Sequence, residues 1–326
     1  MRAPDFWDQK DYTARLAVAA LTPIGWLYGA SVAWKRDHNA PYRPRAKVIS
    51  IGNLSAGGTG KTPIAITIAR RLIERKLRPI ILSRGYGGRM RGPCFVNPAT
   101  DLAAQTGDEP LLLAGAAPVI VARDRKAGAE LADKKQADAI IMDDAHQNFR
   151  VAKDFSLVVI DAEIGFGNAH ILPAGPLRES VTQGLARADA VVLVGKGAPD
   201  LGSFKGPVLR AQLTPVDIFE LKGRPVVAFA GIGRPEKFFA TLRSLGADIV
   251  EARSYADHHA YTASEIARLH AKARAANAML ITTEKDFVRL TPAEKQGICF
   301  LPVRAAFEDM KALDDLLDTL MDKPAQ

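Results

Sequence analysis

A mixed α/β protein is the fold the sequence predicts: two α/β domains with mainly parallel sheets, preceded by an N-terminal membrane-associating helix. Three observations predict it. The stretch KVISIGNLSAGGTGKTPIAIT, Lys47 to Thr67, reads as strand, glycine-rich turn and helix. After it, short apolar β-prone runs alternate with helical patterns, the rhythm of parallel strands joined by right-handed crossovers. Ahead of it, Leu16 to Trp34 carries no charge and is flanked by Arg15 and by Lys35, Arg36, Arg43, Arg45 and Lys47.

The bulk numbers agree with this division. A chain of 326 residues is long enough for two domains, and 48% hydrophobic with 25% charged residues is a globular rather than a disordered composition. Cys94 and Cys299 have no His or Cys at metal-ligand spacing, which argues against a disulfide framework or a zinc site and fits a reducing compartment. A net charge of +8 suits nucleic acid, an anionic membrane or a phosphorylated substrate. The basic residues do not interleave with aromatics in a binding module, so nucleic acid is disfavoured.

Residues 1–46 form an apolar and basic segment with three readings. It reaches the roughly 20 residues that span a bilayer, although Pro23, Gly25 and Gly29 interrupt it. It could instead lie on the membrane, with Trp26, Tyr28 and Trp34 at headgroup depth, or pack as an amphipathic helix on the protein's own core. Asp5, Asp8 and Asp11 argue against a secretory signal. Residues 47–206 form the first domain. Its expected strands are Val48–Ile51, Pro79–Leu82, Pro118–Ala122, Ala139–Met142, Leu157–Ile160 and Ala190–Val194, with helices from Thr62 to about Lys76 and from Asp124 to Gln136. Residues 207–222, with alternating apolar positions and prolines, read as an extended connector. Residues 223–326 form a smaller α/β domain with strands Val226–Ala230, Asp248–Glu251 and Met279–Thr282 and helices Pro235–Leu245 and Ala263–Ala275. The final helical stretch, Phe307 to Met321, could cap either domain.

The glycine-rich turn carries the most specific chemistry. Backbone N–H groups of Ser55, Ala56, Gly57, Gly58, Thr59 and Gly60 can converge on phosphate oxygens, and the following helix adds its positive dipole end. Lys61 would reach the β- and γ-phosphates and the Thr62 hydroxyl would hold Mg²⁺, as in a P-loop NTPase, although the strict pattern has Gly where Ser55 stands. Such a loop needs an acidic partner at a strand end. Asp143-Asp144 and Asp161 both qualify, and the pair offers more, one carboxylate for the metal and one for water or substrate. Asp108 reads as a general base or as a helix N-cap. His258, in Asp257-His258-His259, reads as a cross-cleft contribution or as a surface loop, and adjacent histidines make a poor zinc site. Arg84 and the Arg178-Glu179 pair could meet anionic groups or simply be solvated.

Taken together, these residues resemble the tetraacyldisaccharide 4′-kinase family, the lipid A 4′-kinases of Gram-negative bacteria. The motifs occur in the family's order: IGNLSAGGTGKTP, SRGYGG, TGDEP, MDDAHQN, LPAGPLRE, DHHAYT and TTEKDFVRL. Ser55 is explained by the resemblance, since the family's loop opens with Ser or Thr. One departure is Ala145-His146, where relatives commonly have Gly and an apolar residue, and local repacking is expected there. The resemblance implies transfer of the ATP γ-phosphate to the 4′-hydroxyl of a tetraacylated glucosamine disaccharide 1-phosphate, with ATP and Mg²⁺ bound. It implies Asp108 as the base supported by His258, Lys61 and Thr62 on the phosphates and metal, and Asp143-Asp144 in the metal network. Arg84, Arg125, Gln147, Arg178 and Glu179 match site-lining positions. It further implies a lipid substrate, a membrane surface met through the N-terminal segment, the cytoplasmic face of the bacterial inner membrane, and no obligate protein partner. The rival readings are a P-loop ATPase or GTPase switch and a kinase of a soluble metabolite. The first lacks an N-K-x-D motif, since Thr283-Glu284-Lys285-Asp286 has its lysine one position late, and the second leaves the apolar segment unexplained.

Overall fold

The computed structural model describes residues 4–7, 9, 11–216 and 220–322; residues 1–3, 8, 10, 217–219 and 323–326 of the expected segments lie outside the described residues. After a short 3₁₀ turn, Asp5–Trp7, the chain enters helix α1, Tyr12–Asp37. The first α/β body then runs through β1 Lys47–Gly52, α2 Lys61–Glu74, β2 Pro79–Ser83, β3 Cys94–Phe95, α3 Ala103–Thr106, α4 Asp108–Ala114, β4 Val119–Val121, α5 Arg125–Lys134, β5 Ala139–Asp143, β6 Phe155–Asp161, α6 Val181–Leu185, β7 Ala190–Val194 and β8 Val208–Pro215. The second holds β9 Pro225–Ala230, α7 Pro235–Ser244, β10 Asp248–Ser254, α8 Ala263–Ala275, β11 Met279–Thr283, α9 Glu284–Arg289 and β12 Ile298–Leu301, followed by β13 Val303–Phe307 and α10 Met310–Asp322.

The larger sheet has the order β13-β8-β7-β6-β1-β5-β2-β4-β3. Its pairs are parallel except at the two edges, where β13 and β3 run antiparallel to their neighbours. Every residue of β1, β2, β5 and β7 is buried, which requires helices on both faces and explains why these strands read as unbroken apolar runs. The smaller sheet, β10-β9-β11-β12, is parallel throughout.

The chain departs from its expected boundaries at two places. Residues 207–222 are not simply a connector, because β8 pairs with β7 from Val191↔Val208 onward. Its partial, uneven burial near the sheet's β13 edge looks, from sequence alone, like that of any extended chain. Beyond Leu301 the chain leaves the second sheet, and β13 joins β8, with Val303 opposite Pro215. Helix α10 follows it back onto the first body. Leu313, Leu317 and Leu320 enter the larger core, while Arg71 of α2 and Arg75 at its C-cap pair with Asp314 and Asp318. The last helix therefore caps the first body.

Helix α1 does not bury an amphipathic face in the protein core. Ala14, Gly25 and Val32 are its buried residues, whereas Tyr12, Trp26, Leu27 and Trp34 are 75%, 69%, 73% and 61% exposed. Contact with the body is close at Gly25, where a Cβ would stand 2.9 Å from the Ile171 carbonyl oxygen. At 26 residues, with a mean hydropathy of 1.5 over its most apolar window, the helix is long and apolar enough to cross a bilayer. Lys47 is not part of the exposed basic cluster, because it is the buried first residue of β1.

Candidate active site

The loop from Asn53 to Gly60 lies at the carboxyl end of β1, where ligands of open α/β sheets bind. Gly57 at φ +119° and Gly60 at φ +86° adopt backbone angles that side chains resist, and Gly60 is the N-cap of α2. A Cβ on Gly57 or Gly58 would meet nothing within 4 Å, so the loop curves around open space. From behind it is clamped by LPAGPLRE: the Ala56 N–H donates to Pro176 O and the Arg178 N–H to Leu54 O, both at 2.7 Å. The strand-like pairing of Ser55 with Leu177 completes that clamp.

Both carboxylates of the acidic pair stand beside the loop, in different environments. Asp144, at φ +47°, accepts from Arg178 Nη1 at 2.9 and 3.0 Å, and Lys61 Nζ is 3.4 Å from its Oδ1. Burial would raise the Asp144 carboxyl, but the Lys61 and Arg178 charges outweigh it and hold it low. Asp143 is fully buried and its carboxyl is raised, first by burial and then by the charges of Glu109 and Asp144. Its Oδ1 has no hydrogen-bond partner, and neither do the buried Thr59 Oγ1 and Asn53 Oδ1. An orphaned carboxylate oxygen at a strand end, with Thr62 opening α2, fits Mg²⁺ shared with phosphates. Among the described residues no three His, Cys, Asp or Glu side chains could hold a metal by themselves.

The remaining site-lining positions separate by what they touch. Gln147 donates to Asn53 O and to Glu179 Oε1, both at 2.9 Å, and Arg187 grips buried Glu179 at 2.7 Å. These residues support the loop and its Arg178. Arg125 is buried and donates to Leu82 O at 3.3 Å and Asp143 O at 2.8 Å, tying the ends of β2 and β5 together. Burial lowers its pKa to about 10. Arg84 is exposed at the end of β2. Asp161 stands apart from the loop carboxylates: it accepts from Arg234 of the second body at 2.5 Å and from the Glu163 N–H at 3.1 Å. The departure at His146 is a buried imidazole whose Nε2 bonds Gly184 O at 2.9 Å, and the residue's backbone packs so closely on β1 that a Cβ on Gly52 would lie 2.6 Å from His146 N and Cβ.

Asp108 and His258 meet between the two bodies. Asp108 opens α4 and is 5% exposed. His258 Nδ1 lies 3.0 Å from Asp108 Oδ2, with the His258 backbone at φ +57° and its N–H donating to Gly231 O at 3.1 Å. The left-handed backbone is uncommon for histidine and aims the ring at the carboxylate. Burial would raise the Asp108 carboxyl; the His258 hydrogen bond and the charges of Lys285 and Arg289 overcome it and hold the group far below the usual carboxylate range. Arg289 donates to Asp108 Oδ2 from Nε at 2.8 Å and Nη2 at 2.6 Å. Lys285 lies 3.9 Å from Asp108 and 3.4 Å from both Glu109 and His258 Nε2. Tyr86 of SRGYGG sets its ring against His258 at 5.6 Å. Lys285 and Asp286 of Thr283-Glu284-Lys285-Asp286 are thus engaged at this junction. Sequence reasoning missed Lys285 and Arg289 as site residues, although Asp286 and Arg289 at i,i+3 in TTEKDFVRL are a legible helical ion pair.

Fold and site define a P-loop phosphate-binding protein in which a second α/β body brings an imidazole, His258, onto a buried carboxylate of the first, Asp108. The chain belongs to the tetraacyldisaccharide-1-P 4′-kinase family (LpxK), which matches residues 17–322. It is 48% identical to a protein of Rhodospirillum centenum named tetraacyldisaccharide 4′-kinase, over 98% of this chain and 97% of that one. A protein of the same name from Paramagnetospirillum magneticum is 47% identical over 98% and 99%. Among solved structures, LpxK from Aquifex aeolicus in complex with ATP superposes with a TM-score of 0.76 at 27% identity, covering 93% of this chain and 99% of that one.

Behind the acidic pair, Lys153 donates to His146 O at 2.7 Å. Burial, and then the Arg187 charge, lower its ammonium to about 7 from an ordinary 10.5. The folded state thus binds this proton less tightly than the unfolded chain, so its contribution to stability rises as pH climbs from about 7 to about 10.5. Urea unfolding of wild type and Lys153→Met at pH 7 and pH 9 is expected to show the difference shifting toward wild type at the higher pH. An unchanged difference would contradict the depressed lysine.

Proposed function

We propose that this protein transfers the γ-phosphate of ATP to the 4′-hydroxyl of a tetraacylated glucosamine disaccharide 1-phosphate, a step of lipid A biosynthesis, at the cytoplasmic face of the bacterial inner membrane. Family membership over residues 17–322 supports the reaction class, and the ATP in the Aquifex relative supports the donor. The observation that carries the reading is the Asp108–His258 pair formed across the two bodies, with the neighbouring Glu109 near enough to act on Asp143 beside the phosphate loop, since phosphoryl transfer to an alcohol needs a donor site and a proton acceptor.

The N–H groups of residues 55–60 and the N-terminus of α2 bind the donor phosphates, and Lys61 reaches the β- and γ-oxygens. Thr62 and Asp143 would hold Mg²⁺, which when bound neutralises charge on those oxygens. Arg178 and Lys61 keep Asp144 ionised beside them. The proton of the acceptor hydroxyl passes to the Asp108–His258 pair as the oxygen attacks the γ-phosphorus and the bond to the β,γ-bridging oxygen breaks, releasing ADP. The geometry divides the work within the pair. Asp108 Oδ2 already accepts from His258 Nδ1 and Arg289, which makes it a weak base and a strong orienter. With Nδ1 committed to Asp108, His258 Nε2, flanked by Lys285 Nζ at 3.4 Å and Asp257 Oδ2 at 3.8 Å, is the ring nitrogen left to take the proton. The exposed Trp26, Leu27 and Trp34 of α1, with Lys35 and Arg36 at its end, give the enzyme its contact with an anionic bilayer.

Incubating the purified protein with γ-labelled ATP, Mg²⁺ and the acylated disaccharide 1-phosphate is expected to place label in the lipid, while label found only in inorganic phosphate or in a soluble sugar would overturn the reading. Replacing Trp26 and Leu27 together by Glu is expected to abolish co-sedimentation with anionic vesicles and to leave ATP affinity unchanged. Undiminished sedimentation would mean that the membrane is met elsewhere.

A further inference from the structure

Resting on the reading of Asp108 and His258 as the proton-accepting pair, we propose that Arg289 is a positioning residue for that pair: anchored by Asp286 and Gly231 within the second body, it assembles the base only when that body is seated on the first.

The geometry is a relay of buried groups rather than a surface ion pair. Arg289 is 7% exposed at its side chain and uses two edges of its guanidinium. Nε and Nη2 hold Asp108 Oδ2, while Nη1 donates to Gly231 O at 2.6 Å and to Asp286 Oδ1 at 2.7 Å. Asp286 is fully buried and is itself saturated, accepting the Gly231 N–H at 3.0 Å and the Tyr261 hydroxyl at 2.9 Å on Oδ1, and the Thr283 hydroxyl at 2.6 Å on Oδ2. Gly231 closes the relay, because its carbonyl accepts from Arg289 and also from the His258 backbone N–H. The two groups that reach Asp108 thus hang from one carbonyl. A Cβ at Gly231 would come within 2.9 Å of the Tyr261 hydroxyl and 3.1 Å of Asp286 Oδ1, so the junction is close-packed on that side too.

An arginine placed only to bind the bodies together would not need this arrangement. Arg234 to Asp161 and Lys237 to Glu163 already bridge them at 2.5 and 2.6 Å, away from the imidazole. Arg289 instead occupies the same carboxylate oxygen as His258, from the opposite end of one rigid frame. A planar fork with fixed donors sets that oxygen's position in a way that a lysine ammonium does not. Separation of the bodies would remove Arg289 and His258 from Asp108 together, leaving no assembled base to act on water or on a misplaced acceptor.

The test is steady-state kinetics of the full chain with ATP and the lipid acceptor in mixed micelles, for Arg289→Gln, Arg289→Lys and Tyr261→Phe, and for Arg289→Gln combined with Asp108→Asn. Arg289→Gln is expected to lower kcat about 100-fold, the scale of misplacing a reacting group by about 1 Å, with KM for both substrates and ATP affinity little changed. Arg289→Lys is expected to recover part of the loss. On Asp108→Asn, adding Arg289→Gln is expected to cost almost nothing more, because the two act as one unit. Tyr261→Phe removes one hydrogen bond from Asp286 without touching the pair, and is expected to lower kcat several-fold; it decides the matter if Arg289→Gln does not fold. Wild-type kcat in Arg289→Gln or in Tyr261→Phe, or a loss that multiplies with Asp108→Asn, would overturn the role of Arg289. Wild-type turnover in Asp108→Asn would overturn the pair itself, and this inference with it.

Discussion

A carboxylate taken out of water must be met by donors and opposite charge, and Asp108 is met almost entirely by the other body. It sits at the first turn of α4, with the Glu109 N–H on its Oδ1 at 2.9 Å, while Oδ2 is satisfied by His258 and Arg289 from the second body. Remove that body, and the buried charge faces the cleft uncompensated. The seating of one body on the other and the compensation of the Asp108 charge by His258 and Arg289 are therefore one electrostatic event. Neither body alone holds both the phosphate loop and the Asp108–His258 pair that we propose as the proton acceptor.

The donor side is organised by a different constraint, backbone geometry. A phosphate loop needs several N–H groups aimed inward, which costs normal backbone angles at Gly57 and Gly60 and leaves the loop with no core of its own. LPAGPLRE supplies the missing support by pairing with Ser55 and Ala56 and carrying Arg178 to Asp144 and Glu179 to Gln147. Asp143 and Asp144, adjacent in sequence, are driven to opposite protonation tendencies by burial on one side and by Lys61 and Arg178 on the other. Separate environments for these neighbouring carboxylates leave Asp143 Oδ1 without a partner while Asp144 stays committed to Lys61 and Arg178.

Much of this was legible in the chain. The strands of the parallel sheets are short, apolar and bounded by turn residues, and the phosphate loop has a local signature; features of that kind survive in a one-dimensional reading. The loop residues, Asp143-Asp144, Asp108 and His258 could all be named before any geometry was known. Strand β8 could not be told from a connector, because its half-buried alternation depends on β13, which lies about 90 residues later in sequence. For the same reason, assignment of α10 awaited the ion pairs of Arg71 and Arg75. Arg125 matched a site-lining position without a role, and only the fold shows its guanidinium at the start of α5 spanning the carbonyls of Leu82 and Asp143. Arg289 escaped notice since its partner is 181 positions away, and no local spacing announces such a contact.

The central claim is that the imidazole of His258, held by Asp108, accepts the proton of the acceptor hydroxyl. Its most direct measurement is the turnover of His258→Ala in the presence and absence of millimolar imidazole. The account predicts a large loss of kcat, partly restored by free imidazole while Asp108 is present and not restored in His258→Ala/Asp108→Ala. Turnover of His258→Ala at the wild-type rate without imidazole would contradict it.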